Sequence, residues 1–503
     1  MQYFKTTSLR WWLLVIVANV LLTSWMVYAV PTLDYDAILY ISAAKAIANN
    51  DWQLSSDLYR GSLYPYLIYL SQKLSGLSYE VSAHFLNALF FSITSYAFIS
   101  IVKKIGGNSR TILFISLTVI LFFPGILKYR PDIFREFGFF ACYFWSIYCL
   151  LEFYDTKQIK YLFIWFSLLS VGLFFRVESV VFLIGISAIF VLQAAYKNLQ
   201  RVNKSQCIKY VFFFLFSFVI IFVILKLLGS DRAVQSAFSY PIEYINKALS
   251  LLKQKLIGNS DGLLGVLKNI FQPIGSVLYI IFQRFEVIYA LLIIVAYKAK
   301  LVLVEPLPKK VILSYLSISF IILVLFQMSL AYIASRYALT FVLTALLLVP
   351  FVLEKAIQLM LQGRLFQKAS ITILLLVLCF LSVKRLGVSD RDIEINTGLW
   401  ITNNISEKSV VISNNSKVLY YAKRFPYLSF REKGTYPRFS TQLMLSPRNR
   451  EEFETADYIA FMVKPGNQLD LNKEELFVRM HGEPVKRIEQ RNSDVYVSIY
   501  KVK

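Results

Sequence analysis

Along the chain, apolar runs of about twenty residues alternate with short polar breaks, and each run is long enough to cross roughly 30 Å of hydrocarbon as a helix. The pattern predicts eleven spans, at 10–30, 81–102, 110–127, 133–151, 159–175, 177–196, 209–228, 276–297, 311–333, 336–354 and 367–386. Two breaks, 31–80 and 229–275, are too long for simple turns, and ordered loops of that length tend to carry function. Within the first, Ile38, Ile41, Ala44 and Ala48 recur at three- and four-residue steps, which predicts a helix lying in the interface with Lys45, Asn49 and Asn50 toward water. The second repeats Ile242, Ile245, Leu249 and Leu252 before "GNSDG" at 258–262; it reads equally as a cover over a site or as an amphipathic connector.

From about residue 390 the long runs stop, and short β-rich stretches take over: "SVVIS" (409–413), "ADYIAFMV" (456–463) and "DVYVSIY" (494–500), separated by Asn, Gly, Pro and charged residues. The expected architecture is a polytopic α-helical membrane domain over 1–389 and a small α/β domain outside the membrane over 390–503.

Composition agrees: 57% hydrophobic and 16% aromatic residues in a chain of 503 leave little room for a soluble globular protein. The formal charge of +22 would suit a nucleic-acid partner, but Lys and Arg gather in short loops at alternate span ends (Lys103/Lys104/Arg110, Lys157/Lys160, Lys298/Lys300/Lys309/Lys310, Lys355/Arg364/Lys368). The positive-inside bias accounts for that spacing, with a cytoplasmic N-terminus and an outer C-terminal domain, and no nucleic acid is implied. Residues 1–30 also fit a signal peptide cut after Ala29, yet the apolar stretch exceeds a usual h-region, which favours a retained helix.

Four cysteines (Cys142, Cys149, Cys207, Cys379) fall in or beside spans and imply neither a disulfide framework nor a zinc site. His84 and His481 lack partners at metal-ligand spacing, so histidine-based metal chemistry is not expected.

Ionisable residues at membrane depth are costly and invite a functional reading. With this topology they share the outer side: Asp34 and Asp36 after span one, Arg130, Asp132, Arg135 and Glu136 between spans three and four, Arg176 and Glu178 between five and six, and Arg336 between nine and ten. Arg135 and Glu178 taken singly read as interfacial or locally ion-paired residues. Several arginines and carboxylates at one boundary suit acid–base work on an anionic lipid headgroup. Glycosyl transfer from a lipid-linked phosphosugar needs such a set: a carboxylate to take the acceptor's proton and cations to stabilise the departing phosphate. A single displacement of this kind inverts the anomeric centre.

These residues resemble the GT-C class of integral membrane glycosyltransferases, in the branch of the protein O-mannosyltransferases and lipid A aminoarabinose transferases. The resemblance begins at "PTLDYDAILYISAAKAIANNDW" (31–52), where an acid after the first span is followed by Tyr40, Ala43/Ala44 and "NNDW", and it implies Asp36 as the catalytic base. The family's second acid of an Asp-Glu pair is replaced by Ala37; Asp34 is left either as a substitute or as a cap of the helix that starts beside it.

"RGSLYPYLIYLSQKLSGLS" (60–78) is similar to the family's basic-then-proline segment through Arg60 and Pro65. "YRPDIFREFGFF" (129–140) resembles its second outer acidic position, with Asp132 as first choice and Glu136 as second. "FFRVESVVF" (174–182) looks like its Arg-x-Glu segment and "SRYALTFVL" (335–343) like its Arg-Tyr motif.

The resemblance implies lipid-phosphate contacts from Arg60, Arg336 and Arg176, further substrate contacts from Tyr40, Tyr64 and Tyr337, and acceptor orientation by Asp132 or Glu136. No metal is required, although a divalent ion between Asp36 and Asp132 stays open. The implied partners are a polyprenyl-phosphate sugar donor, a glycan, lipid or protein acceptor, and membrane lipids, at the periplasmic face of a bacterial inner membrane. The runner-up is a transporter or flippase of lipid-linked sugars, which would place its polar groups at the bilayer midplane on broken helices, often with inverted repeats. A membrane scaffold with a soluble sensor domain would predict no convergence of acids and arginines.

Overall fold

The computed structural model describes residues 9–59, 63–189, 250, 262–298, 306–330, 334–362, 365–387, 392–424, 456–490 and 493–502. The expected span at 209–228, the stripe at 242–252 and "GNSDG" lie outside these residues, apart from the helix start at Gly262.

Helix α1 (Leu9–Ala29) is followed by the short helices α2 (Tyr35–Ala48), α3 (Trp52–Leu58) and α4 (Leu63–Ser75). These three make up the expected long break 31–80, and α2 is the predicted helix of 36–49, extended by one turn-starting residue. It is far more buried than an interfacial helix with one wet face: both Ile38 and Ile41 and most of its alanines are sealed from solvent. Asn50 takes a left-handed backbone (φ 59°), which asparagine tolerates, and Asp51 caps α3 by accepting from the Leu54 amide at 3.0 Å.

Helices α5 (Tyr79–Lys104), α6 (Arg110–Phe122), α7 (Pro124–Leu127), α8 (Glu136–Thr156) and α9 (Lys160–Phe175) follow. Helix α10 covers 179–189. The expected span at 110–127 is matched by one candidate membrane span with the same bounds, interrupted at Phe123 because Pro124 suits the first turn of a new helix. Helix α11 (Gly262–Lys298) is kinked at Glu286 (φ 52°, ψ 119°), whose carboxylate lies 3.5 Å from Arg385.

Helix α12 (Pro306–Leu330) leads through a 3-10 turn (Ser335–Ala338) to α13 (Leu339–Leu346), α14 (Val349–Gln362) and α15 (Leu365–Val383). The single span expected at 336–354 is instead a pair of helices bent by 48°. Six described helices are long and apolar enough to cross a membrane, seven if the bent pair is one span, with shorter apolar helices at 160–175, 179–189 and 368–383. The chain is an integral membrane protein; the eleven spans read from the sequence are not all matched by full-length helices among the described residues.

One large apolar core ties the bundle together, with α8 at its centre packed against α5, α9 and α12. Gly138 is needed there, since a Cβ would stand 2.4 Å from the Phe175 ring at the end of α9. Cys142, Cys149 and Cys379 are free thiols.

The C-terminal region contains α16 (Ile393–Asn404), β1 (Val411–Ser413), α17 (Ser416–Tyr421), β2 (Tyr458–Val463), α18 (Gln468–His481), β3 (Lys486–Glu489) and β4 (Tyr496–Lys501). The sheet runs β1-β2-β4-β3, parallel between β1 and β2 and antiparallel elsewhere. Two apolar clusters cover its faces, so the two central strands are buried on both sides. Glu474 of α18 anchors the helix to the sheet, accepting from Arg487 Nη2 at 2.9 Å, from Ser498 Oγ at 2.8 Å and from the Tyr496 hydroxyl.

Candidate functional site

Five charged side chains from four chain segments meet at the end of the bundle where α2 and α8 begin and α9 ends. Asp36 lies in the first turn of α2, where a carboxylate suits the helix dipole. Its Oδ2 accepts from Arg336 Nη2 at 2.6 Å. The other side of that guanidinium faces Glu136, with Nε 3.2 Å from Oε1. The same Glu136 oxygen lies 3.8 Å from Arg176 Nη1, and Arg176 Nη2 donates to Glu178. The result is a line of alternating sign: Asp36, Arg336, Glu136, Arg176, Glu178.

Local structure explains each position. The 3-10 turn carrying Arg336 is closed by the Tyr337 amide on Ala334 O at 2.9 Å and pinned by a 2.7 Å hydrogen bond between the Tyr129 and Ser335 hydroxyls. The guanidinium rests on Phe134, 4.6 Å from the ring centroid. Arg176 follows the last residue of α9 in an extended conformation (φ −147°, ψ 125°) and stacks on Tyr337 at 4.3 Å.

The middle of the line is the most deeply buried part. Asp36 and Arg336 keep 28% and 22% of their side-chain exposure and Glu178 13%, against 5% for Glu136 and 4% for Arg176. Asp36 and Arg336 form the end most open to a ligand. Beyond Arg176, a small crevice lies among Phe139, Glu178, Phe182, Ser319, Phe326 and Tyr337.

The sequence-derived candidates divide accordingly. Asp36, Arg336, Glu136, Arg176 and Tyr337 come together. Glu136, the second choice, is the acid that meets both arginines, whereas Asp132 touches this region through its backbone carbonyl, which accepts from Asn87 Nδ2 at 3.3 Å. Asp34 occupies the N-cap position of α2, yet its side chain makes no capping hydrogen bond, so the expected cap is positional only. Tyr64 is fully buried with its hydroxyl on Asn87 Oδ1 at 2.6 Å, and Tyr40 packs edge-on against Tyr64 and Tyr59. Both tyrosines support the floor of the site rather than its open end.

Arg60 lies outside the described residues. Arg130, grouped with the outer charges by sequence, turns away: it is 1% exposed, donates to Asn19 and Thr23 of α1 at 3.1 and 3.2 Å, and stacks on Phe91. Phe134 and Asn87 escaped sequence reasoning, because an aromatic or amide in an apolar run carries no signal of its own.

Among the described residues no three Asp, Glu, Cys or His side chains converge as a metal site. Asp36 and Glu136 are matched to Arg336.

No family model and no curated protein matches this sequence. Two crystal structures of ArnT from Cupriavidus metallidurans share its fold. The one bound to undecaprenyl phosphate aligns with a TM-score of 0.51 at 10% identity, and the apo state with 0.53 at 11%; each covers 98% of this chain and 98% of its own. The GT-C architecture expected from the motifs is thus the fold this chain adopts.

Proposed function

We propose that the protein is a glycosyltransferase that moves a sugar from a polyprenyl-phosphate donor to an acceptor hydroxyl at the outer face of a bacterial inner membrane, with inversion and with Asp36 as base. The observation that carries this reading is the Asp36–Arg336 contact at 2.6 Å, an acid and a phosphate-compatible cation at the open end of a buried charge line. The shared fold of an ArnT bound to undecaprenyl phosphate supports a lipid-phosphate ligand.

The chemistry follows from what each group can do. Donor phosphate oxygens compete with Asp36 for the Arg336 guanidinium, and the carboxylate they release is then free to turn toward the acceptor hydroxyl, which attacks the anomeric carbon from the side opposite the phosphate. The acceptor oxygen bonds to the anomeric carbon and its proton passes to an Asp36 oxygen. The anomeric C–O bond breaks and its electron pair leaves on polyprenyl phosphate, stabilised by Arg336, with Arg176 behind it. Glu136 holds both arginines without needing to touch substrate.

Purified protein in nanodiscs, given a panel of polyprenyl-phosphate sugars, should release polyprenyl phosphate and form an inverted glycoside with at least one. Transport of an intact lipid-linked sugar between leaflets without bond cleavage would support the flippase reading instead.

A further inference from the structure

Among the described residues, the C-terminal domain meets the membrane domain at the root of the helix bearing Asp36. Tyr420 and Tyr421 end α17. The Leu33 amide donates to the Tyr421 hydroxyl at 2.8 Å, and that hydroxyl faces the Pro31 carbonyl at 3.5 Å. Pro31 and Leu33 belong to the link between α1 and α2, which no helix or strand ladder supports, so its polar groups need partners from elsewhere. Leu33 precedes Asp36 by less than one helical turn.

Tyr420 grips the opposite side. Its hydroxyl donates to Glu80 Oε1 at 2.7 Å at the start of α5, and its ring lies 5.5 Å from Lys45 Nζ of α2. The two tyrosines thus hold α2 at its entry and at its far flank. At the other end of the link, Trp25 Nε1 near the end of α1 donates to Leu386 O at 3.1 Å. Tyr421 is in turn set by its own domain: a Cβ on Gly398 of α16 would stand 2.4 Å from Tyr421 Cβ and 2.7 Å from the Ala422 nitrogen, so α16 presses directly on the α17 backbone.

We propose that α17 is a latch on α2, and that Tyr421 and Tyr420 are positioning residues that hold Asp36 against Arg336 through Leu33, Pro31, Glu80 and Lys45. The consequence for turnover rests on the transferase reading; the latch does not. The C-terminal domain then sets catalytic geometry.

The test uses full-length protein in nanodiscs and three variants: Tyr421→Phe, which keeps the ring and removes both contacts of the hydroxyl; Tyr420→Phe with Tyr421→Phe; and Gly398→Ala, which displaces α17 without altering any membrane-domain residue. Hydrogen–deuterium exchange over 30–48 should quicken beyond Leu33 into the first turns of α2 in all three. With a polyprenyl-phosphate sugar, kcat should fall about 10- to 100-fold while the donor KM stays within about twofold, the signature of a displaced base rather than a lost phosphate contact. Unchanged exchange in α2 in the double variant would overturn the latch. Faster exchange with full kcat would overturn its positioning of Asp36. If the wild type transfers no sugar from any donor, the transferase reading fails, and the exchange data still decide the latch.

Discussion

Asp36 and Arg336 are 300 residues apart in sequence and 2.6 Å apart in space. One stands on a short buried helix after the first span, the other on a 3-10 turn before a late one. Their contact stands at the open end of the charge line and engages both the acid and the cation that the proposed reaction needs. A phosphate that takes the arginine frees the carboxylate. Binding of the donor and availability of the base are then one event.

Glu136 should matter more to stability than to chemistry. It is buried between Arg336 and Arg176, and removing its charge leaves two guanidinium groups under-compensated in a region that excludes water. Glu136→Gln should lower the unfolding free energy by about 3–5 kcal/mol. Thermal unfolding in detergent, followed by tryptophan fluorescence, should show a lower midpoint, and an unchanged midpoint would mean the arginines are paired in some other way.

Gly138 is required by the approach of α9 to α8. Gly138→Ala drives a methyl into the Phe175 ring, next to Arg176, and should cost about 1–3 kcal/mol. Donor affinity should weaken with it, because Phe175 cannot move without carrying Arg176. Donor binding by isothermal titration would check this; a destabilised variant with wild-type affinity would uncouple Arg176 from the lipid phosphate.

Arg130 should be dispensable. It is buried against α1 with Nε and Nη2 unpartnered, and no carboxylate lies within ion-pair distance among the described residues. Removing an unpaired buried charge relieves its desolvation cost, while Asn19 and Thr23 lose the donor that Nη1 supplies. Arg130→Met is therefore expected to keep activity, with unfolding free energy changed by no more than about 1–3 kcal/mol. Loss of transfer without loss of stability would place Arg130 in the machinery after all.

Chelation should leave transfer intact. The carboxylates at the open end face arginines, so activity is expected to survive EDTA at millimolar concentration. Inactivation by EDTA, restored by Mg²⁺ or Mn²⁺, would contradict this and bring Asp36 and Asp132 back as metal ligands.

Much of this was legible in the sequence, and the misses have physical causes. Apolar length marked the helices at 9–29, 79–104, 136–156 and 306–330, and the shared side of the acids and arginines marked the end of the bundle where they meet. Breaks inside apolar runs were harder to see. In 336–354 every residue near the bend is apolar, and only Pro350, tolerated in the first turn of the next helix, hints at it.

Strand β3 ("KRIE", 486–489) went unread because an exposed edge strand needs no apolar alternation. The choice between Asp132 and Glu136 depends on how the turn from Tyr129 to Arg135 rotates the chain, which residue types alone do not encode. The latch was invisible for a different reason: tyrosines abound in this chain, and which of them bridges two domains depends on contacts about 390 residues apart.

The most direct test of the account is a single-turnover assay of Asp36→Asn beside wild type, with excess enzyme over a polyprenyl-phosphate sugar that the wild type consumes. Asparagine keeps the size of the side chain and can take no proton, so the chemical step should slow by about 10²- to 10⁴-fold while the donor still binds through Arg336. Full-rate transfer by Asp36→Asn would contradict the assignment of Asp36 as base and, with it, the central claim.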